Sequence, residues 1–528
     1  MRRVTDITDL PVELLQHIFA SLPDQSLTGR SNDLGWLVAA HVCRLWRNIA
    51  LSKNGRAVKM ELRPDRAQQD VQALFHELFS PLPVTLIVEE YRLDLTRASA
   101  LHHHWTNTLQ LLSLLTKRVH AVYVRLRQHT SRLQDERIEE LLALVLAEPT
   151  LETLIVGQYS GWIGRTERGL KLSPVPELQG GGLRVLRFER CRLQEQAEFL
   201  STQSLLEEFC TEVHGPLRPF LLGLCTANLN RLDLTVNPWG DDLGRSGPEG
   251  SIEMPALFEL SLRVTVKDAL TFMHAVHLPS LVSLKFDFPV IDVSGIEQST
   301  SLLVDWLSSR FGDIPGCTQV NILVTATELC VNMSWSTPSN RATHRKLNVS
   351  FPRLPSGGPP HLTRSVEECG MFLSCLFEKF AAVGTTHVVS ITAGPPTFAH
   401  HGPSPHLALL KEIVLKYINK LYRTTNLQLG WHAALMLLPL QPGPLPHLSE
   451  LRIGASELES TAYQLHEDQL ASLRSLVRGE ADSRGVRCRV ELDGVDLPVH
   501  TSVPEPASAA RDLSVDANLM EREASVLL

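Results

Sequence analysis

The feature that most constrains this chain is a spaced leucine motif that recurs along it. Leu183-x-x-Leu186-x-Phe188-x-x-Cys191-x-Leu193 is its full form. Leu151-x-x-Leu154-x-Val156 precedes it, Leu206-x-x-Phe209 is a degraded copy, and Leu229-x-x-Leu232-x-Leu234-x-x-Asn237 is nearly complete. Leu257-x-x-Leu260-x-Leu262, Leu281-x-x-Leu284-x-Phe286 and Leu448-x-x-Leu451-x-Ile453 continue the series. The copies that start at 183, 206, 229, 257 and 281 are 23, 23, 28 and 24 residues apart. Apolar residues at alternate positions mark a strand with one buried face. A unit this short cannot enclose its own leucines, so stacked units must share one continuous core. An ordinary α/β domain yields one or two such fragments by chance, not a near-register series.

Returns between the strands read as helices. Residues 268–277 carry Leu270, Met273 and Val276; 367–382 carry Phe372, Leu376, Phe377 and Phe380; 405–421 carry Leu407, Leu410, Val414, Tyr417 and Leu421. Upstream, 84–88 and 119–126 read as strands. One helix lies between them through Leu109, Leu112 and Leu115, and another follows through Ile138, Leu141, Leu142, Val145 and Leu146. Beyond residue 290 the copies blur, although Val320-x-Ile322-x-Val324, Leu347-x-Val349-x-Phe351 and 387–391 still read as strands. Residues 238–250, 352–360 and 394–405 read as loops. The segment 487–492 is the expected last strand, and 496–528 the expected flexible tail.

The motif and its period resemble the leucine-rich repeat, L-x-x-L-x-L-x-x-N/C-x-L over about 20–29 residues. That resemblance implies an α/β, irregular solenoid of parallel strands with helical returns, in which the chain turns out of each strand at the Cys or Asn position.

The N-terminus is different in kind. Leu10-Pro11-Val12-Glu13 opens a helical pattern, with Pro11 where a first turn tolerates it and Glu13 at the positive end of the dipole. Leu15, Ile18, Phe19 and Leu22 form one expected apolar stripe; Val38, Val42, Leu45, Trp46 and Ile49 form another. These residues resemble the F-box, through Leu10, Pro11, Glu13 and Ile18 and through Val42-Cys43-x-x-Trp46. The segment 23–34 is longer than the family's linker, and Ala57-Val58-Lys59-Met60 stands where the family has Pro-x-Leu-Trp. With the repeats, the whole chain resembles the F-box and leucine-rich-repeat receptors, in the divergent form abundant in mushroom-forming fungi.

The resemblance implies four parts: an F-box at 1–62, a helical connection at 63–80, a repeat domain at 81–495 and the tail at 496–528. It implies a substrate-recognition subunit of a Skp-cullin-F-box (SCF) ubiquitin ligase. Leu10, Pro11, Ile18, Leu22, Val42, Cys43 and Trp46 would dock on the Skp-type adaptor, and through it on a cullin-RING ligase. The repeats would bind a protein substrate through outward strand positions, among them Arg187, Glu189, Arg231, Asp233, Glu259, Lys285 and Arg452. The alternative is a leucine-rich-repeat scaffold without a ligase role, whose N-terminal helices are only a cap.

Composition narrows the classes further. Hydrophobic residues make up 43% and charged residues 20%, as in a folding chain. A net charge of −8 without a basic block argues against nucleic acid as partner. Nine scattered cysteines without a Cys-x-x-Cys pair suit a reducing compartment, and no run reaches the roughly 20 apolar residues of a membrane span. The expected location is cytoplasmic, nuclear or both, where the triplets at Asn332 and Asn348 would not be glycosylated. No catalytic motif and no cofactor-binding or metal-ligand pattern stands out, so an enzyme is not expected. His102, His103 and His104 are adjacent and would diverge on a helix. His400-His401 and Asp241-Asp242 read as solvated loop, Gly180-Gly181-Gly182 as a turn, and Cys369 and Cys375 as core.

Overall fold

The computed structural model describes residues 11–21, 44, 46, 58–62, 84–89, 119–126, 132–158, 168–171, 182–194, 197–213, 217–225, 227–236, 252–288, 296–311, 319–324, 328–335, 345–352, 361–381, 388–393, 424–430, 433, 450–454, 475, 487–492 and 495–498. The chain is mixed α/β, with one long sheet that is mostly parallel, an arrangement compatible with a repeat solenoid.

Helix α1 (Val12–Ser21) comes first. Strands β1 (Val58–Leu62), β2 (Val84–Glu89), β3 (Val119–Leu126) and β4 (Thr153–Gln158) then pair in sequence order, all parallel, with helix α2 (Arg132–Leu146) between β3 and β4. Next come β5 (Arg168–Lys171), β6 (Val185–Gln194), helix α3 (Ala197–Ser201), β7 (Glu208–Val213), helix α4 (Leu217–Leu224) and β8 (Arg231–Val236). A two-residue strand β9 (Ile252–Glu253) precedes β10 (Glu259–Arg263). Helix α5 (Val266–Ala275), β11 (Val276–His277) and β12 (Ser283–Asp287) follow, and β9 and β11 form a separate parallel pair. The expected return helix 268–277 therefore stops at Ala275, and its last two residues are strand.

The register explains why the spaced leucines are needed. Leu154, Leu186, Phe209, Leu232, Leu260 and Leu284 are successive Cα partners across β4, β6, β7, β8, β10 and β12. All are buried. A second inner row holds Val156, Phe188, Leu234, Leu262 and Phe286. In β7, the degraded copy, Thr211 is buried among these residues and its hydroxyl donates to the Glu212 carbonyl at 3.5 Å. Each such side chain contributes about 1.5–3 kcal/mol when fully buried, so the stack rather than any one repeat carries stability.

A backbone ladder locks the starts of these strands. The Glu152 carbonyl accepts from Arg184 and Val185, the Arg184 carbonyl from Glu207 and Glu208, and the Glu207 carbonyl from Asn230 and Arg231. The Asn230 carbonyl accepts from Phe258 and Glu259, and the Phe258 carbonyl from Val282 and Ser283. The same bifurcated bond thus recurs once per repeat. At Gly182 an added Cβ would lie 3.3 Å from the Pro149 carbonyl oxygen, a close approach that favours glycine just before β6.

At the expected corner, Cys191, strand β6 continues to Gln194 and pairs with β5, Cys191 opposite Arg168. Its pairing with β7 breaks in the same stretch, where the register shifts between Arg187 and Arg192, so the chain leaves one ladder where the repeat pattern would turn it and is held in another.

The order of strands changes after β12. Helix α6 (Ile296–Phe311) leads to β13 (Gln319–Val324), β14 (Glu328–Trp335) and β15 (Arg345–Pro352); helix α7 (His361–Ala381) leads to β16 (Val388–Ala393). It is β15 that pairs with β12, while β13 pairs with β16, both in parallel. Strand β14 lies between them, antiparallel to each. The sheet is thus continued by a reversed three-strand meander. Four phenylalanines pack where α7 crosses it: Phe288 lies 5.4 Å from Phe286, 5.7 Å from Phe351 and 5.3 Å from Phe372 between ring centroids.

Strands β17 (Asn426–Gly430), β18 (Glu450–Gly454) and β19 (Arg487–Leu492) then add in parallel. The expected tail begins later than 496, because β20 (Val495–Pro498) folds back antiparallel on β19. The expected helices at 63–80, around Leu109 to Leu115 and at 405–421 lie outside the described residues.

Candidate functional site

Two surfaces are built by these elements. The first is on α1. Its residues are not one stripe divided from solvent, as the i, i+3, i+4 pattern predicts. Leu15 is fully buried and belongs to the continuous hydrophobic core, whereas Val12, Leu14 and Ile18 are 41%, 49% and 44% exposed. Pro11 and Glu13 are exposed beside them. Backbone N–H groups of Leu14 and Leu15 both donate to the Pro11 carbonyl at 3.1 Å, which starts the helix at the proline. Trp46 is half-buried and packs against the core. The structure therefore holds α1 by its Leu15 side and leaves a row of Pro11, Leu14 and Ile18 outward. Leu14, which is not among the expected docking residues, is exposed at i, i+4 spacing from Ile18. Leu10, Leu22, Val42 and Cys43 lie outside the described residues.

The second surface is the outward side of the sheet. Arg187, Cys210, Asp233, Ser261 and Lys285 are successive register partners on β6, β7, β8, β10 and β12. Beside them Glu208, Arg231, Glu259 and Ser283 form a second outward row. Ion pairs link the rows. Glu208 accepts from an Arg187 guanidinium nitrogen and lies 3.4 Å from Arg231, which is 3.7 Å from Glu259. Glu189 reaches Arg187 at 4.0 Å. Arg187, Glu189, Arg231, Asp233, Glu259 and Lys285 thus fall in one neighbourhood. Arg452 does not: it sits on β18, beyond β15, β14, β13, β16 and β17, where it donates to Glu450 at 3.0 Å.

Burial raises the Asp233 carboxyl above its ordinary value, against a hydrogen bond from Ser261 and the nearby Lys285, Arg231 and Arg187. The Cys210 thiol is pushed up to about 12, first by burial and then by Asp233 and Glu189. A thiol held so far from ionisation is not a nucleophile at neutral pH.

Asn332 and Asn348 are Cα partners on β14 and β15, and Asn321 on β13 continues the row. Among the described residues no group of three or more His, Cys, Asp or Glu is placed to hold a metal ion. Among them, too, no helix is long and apolar enough to cross a membrane. His102, His103, His104, His400, His401, Asp241 and Asp242 lie outside the described residues. Cys369 is buried and Cys375 half-buried on α7, as core positions.

Comparison with known families places one of these surfaces. Residues 7–53 match the F-box-like family model. The match spans α1 and Trp46, so the outward row of α1 lies inside an F-box-like domain, a module that suggests an adaptor role in SCF-type ligases. No curated protein and no solved structure matches the chain.

Proposed function

We propose that this chain is the substrate-recognition subunit of an SCF ubiquitin ligase, with a leucine-rich-repeat domain of the mushroom-forming fungal kind. The F-box, residues 1–62, docks on a Skp-type adaptor in the cytoplasm or nucleus. The connection 63–80 leads to the repeats, 81–495, which present a protein substrate. The chain carries out no chemistry itself; it brings a target to an enzyme bound elsewhere in the complex.

The observation that carries this reading is the coincidence of the F-box-like match with an α1 that buries Leu15 and turns Leu14 and Ile18 outward. Apolar side chains at i and i+4 on an exposed helix cost solvation unless a partner covers them, and central apolar anchors dominate such interfaces. On the repeats, mixed-sign outward residues suit a protein partner better than a phosphate backbone.

Co-purification with a Skp-type adaptor tests the reading. The wild type is expected to retain the adaptor, and a Leu14→Asp/Ile18→Asp variant with an unchanged melting temperature is expected to lose it. A folded wild type that retains no adaptor would overturn the proposal and leave a repeat scaffold with a helical cap.

A further inference from the structure

The outward side of the sheet divides into two chemically distinct halves. From β6 to β12 it carries Arg187, Glu189, Glu208, Arg231, Asp233 and Glu259 in an ion-paired lattice. From β15 to β17 it carries almost no charge. Asn348, Asn332, Asn321, Ser390 and Gln428 are successive register partners across β15, β14, β13, β16 and β17. On one side the row is flanked by Lys346, Ser334, Gln319, Val388 and Asn426, of which Lys346 alone is ionisable; on the other side Ser350 and Cys330 are buried.

Asparagine is depleted in strands, so three in register on adjacent strands go against local preference. Such conflicts concentrate where function is built. The contacts the row makes use its carboxamide oxygens: Asn348 Oδ1 accepts from Cys330 Sγ at 3.3 Å, and Asn321 Oδ1 accepts from Gln319 Nε2 at 3.1 Å. Among the described residues, no acceptor takes an amide N–H of Asn321, Asn332 or Asn348. Donors therefore face outward at the strand spacing of about 4.8 Å.

A charged partner seated here would lose hydration without gaining a counter-charge. An uncharged polar one would exchange water for amide hydrogen bonds. The row is bounded by Lys285, which is exposed and is the partner of Asn348 on β12; its charge also acts on the Asp233 carboxyl of the neighbouring lattice. From Lys285 to Gln428 the row spans five strand steps, about 24 Å, the reach of roughly seven extended residues. Aromatic platforms of the kind sugars stack on are absent from these outward positions among the described residues; Trp335 points inward and is buried.

We infer that the outward side of β13–β17 is a docking surface for an extended peptide segment rich in Asn, Gln, Ser and Thr, with an acidic residue at its end seated on Lys285. The inference rests on the substrate-receptor reading for its biological sense, but peptide binding is measured without the adaptor, so the two fail separately.

The test is selection of a displayed random 12-residue peptide library on the purified full chain at physiological salt. Peptides with one acidic residue beside a run of uncharged polar residues are expected to be enriched. Lys285→Glu, at an exposed position, should exchange the acidic residue for Lys or Arg and weaken the original peptides about tenfold or more. Asn332→Val/Asn348→Val, which removes the amide donors without placing like charges opposite each other, should abolish selection of the polar run while keeping the melting temperature. A synthetic chitin oligosaccharide is titrated in parallel. Enrichment of charged peptides indifferent to both variants, preferential binding of the oligosaccharide, or no enrichment on the folded wild type would each overturn the inference.

Discussion

Leu15 and Ile18 stand three residues apart on α1 and lie on opposite sides of its burial boundary, 0% and 44% exposed. The helix is attached by one residue and displays the other. Leu15→Ala should therefore lower stability by about 2–5 kcal/mol, as for a leucine removed from a packed core. Ile18→Ala should change it by less than about 0.5 kcal/mol, as a surface substitution does. Denaturant unfolding of the two variants beside the wild type checks the contrast; a larger loss at Ile18 than at Leu15 would show α1 to be seated the other way round.

Glu208 is the hub of the ion-pair lattice, because its carboxylate serves Arg187 on β6 and Arg231 on β8 at once. It is 21% exposed, whereas Glu259 at the lattice's edge is 46% exposed. Glu208→Gln should cost about 1–3 kcal/mol, since it leaves a part-buried guanidinium short of its charge-assisted acceptor. Glu259→Gln should cost no more than about 0.5 kcal/mol, as expected of a solvated pair. A double-mutant cycle on Arg187 and Glu208 should return coupling above about 0.5 kcal/mol.

Asp233 makes stability depend on pH. Its carboxyl titrates above the ordinary 3.8, chiefly because burial disfavours the charged form. The folded state therefore holds the proton more tightly than the unfolded state. The stabilisation from protonated Asp233 is complete below 3.8 and is lost as pH rises through the raised value. Asp233→Asn, which cannot ionise, should gain stability relative to wild type on going from pH 3.5 to pH 7. Urea midpoints across that range supply the measurement; a difference that stays constant with pH would contradict the burial argument.

How much of this was legible in the sequence differs by element. The inner rows from Leu154 to Leu284 followed from the spaced leucines, because a buried strand face and its period are local properties. Strand β14 was missed although Leu329, Val331, Met333 and Trp335 alternate with perfect period two and are all buried. It contains no Leu-x-x-Leu spacing. That β15 rather than β13 follows β12 was not readable at all: both strands alternate alike, so the local pattern does not say which of them joins β12. On α1, the periodicity marked Leu15 and Ile18 as one stripe; a helix with apolar residues on more than one side does not say which side the core will take.

Cys210 should be chemically silent. With its thiol at about 12, the thiolate fraction at pH 8 is about one in ten thousand, against about one in ten for a thiol at the ordinary 9.0. Iodoacetamide at pH 8 should leave Cys210 unmodified in the folded chain and alkylate it after unfolding in urea, read by peptide mass spectrometry. Asp233→Asn removes the carboxylate that ranks next after burial, so it should speed the folded-state reaction without matching the unfolded rate.

The C-terminal edge of the sheet yields the last prediction. Strand β19 would present unpaired N–H and C=O groups if β20 did not cover it, and such edges template association between chains. Strand β20 is only four residues long, contains Asp496 and ends at Pro498, which has no N–H to offer a further strand. Among the described residues it is the last strand of the sheet, and it offers a less sticky edge than β19 would. A chain shortened after His500 should remain a monomer on size-exclusion chromatography. One shortened after Gly494, which lacks β20, should form dimers or larger species in a concentration-dependent way. Should both stay monomeric over the same range, protection of β19 would have to come from its own charged residues, Arg487, Arg489 and Glu491, and Glu491→Val in the shorter chain would then be the change that starts association.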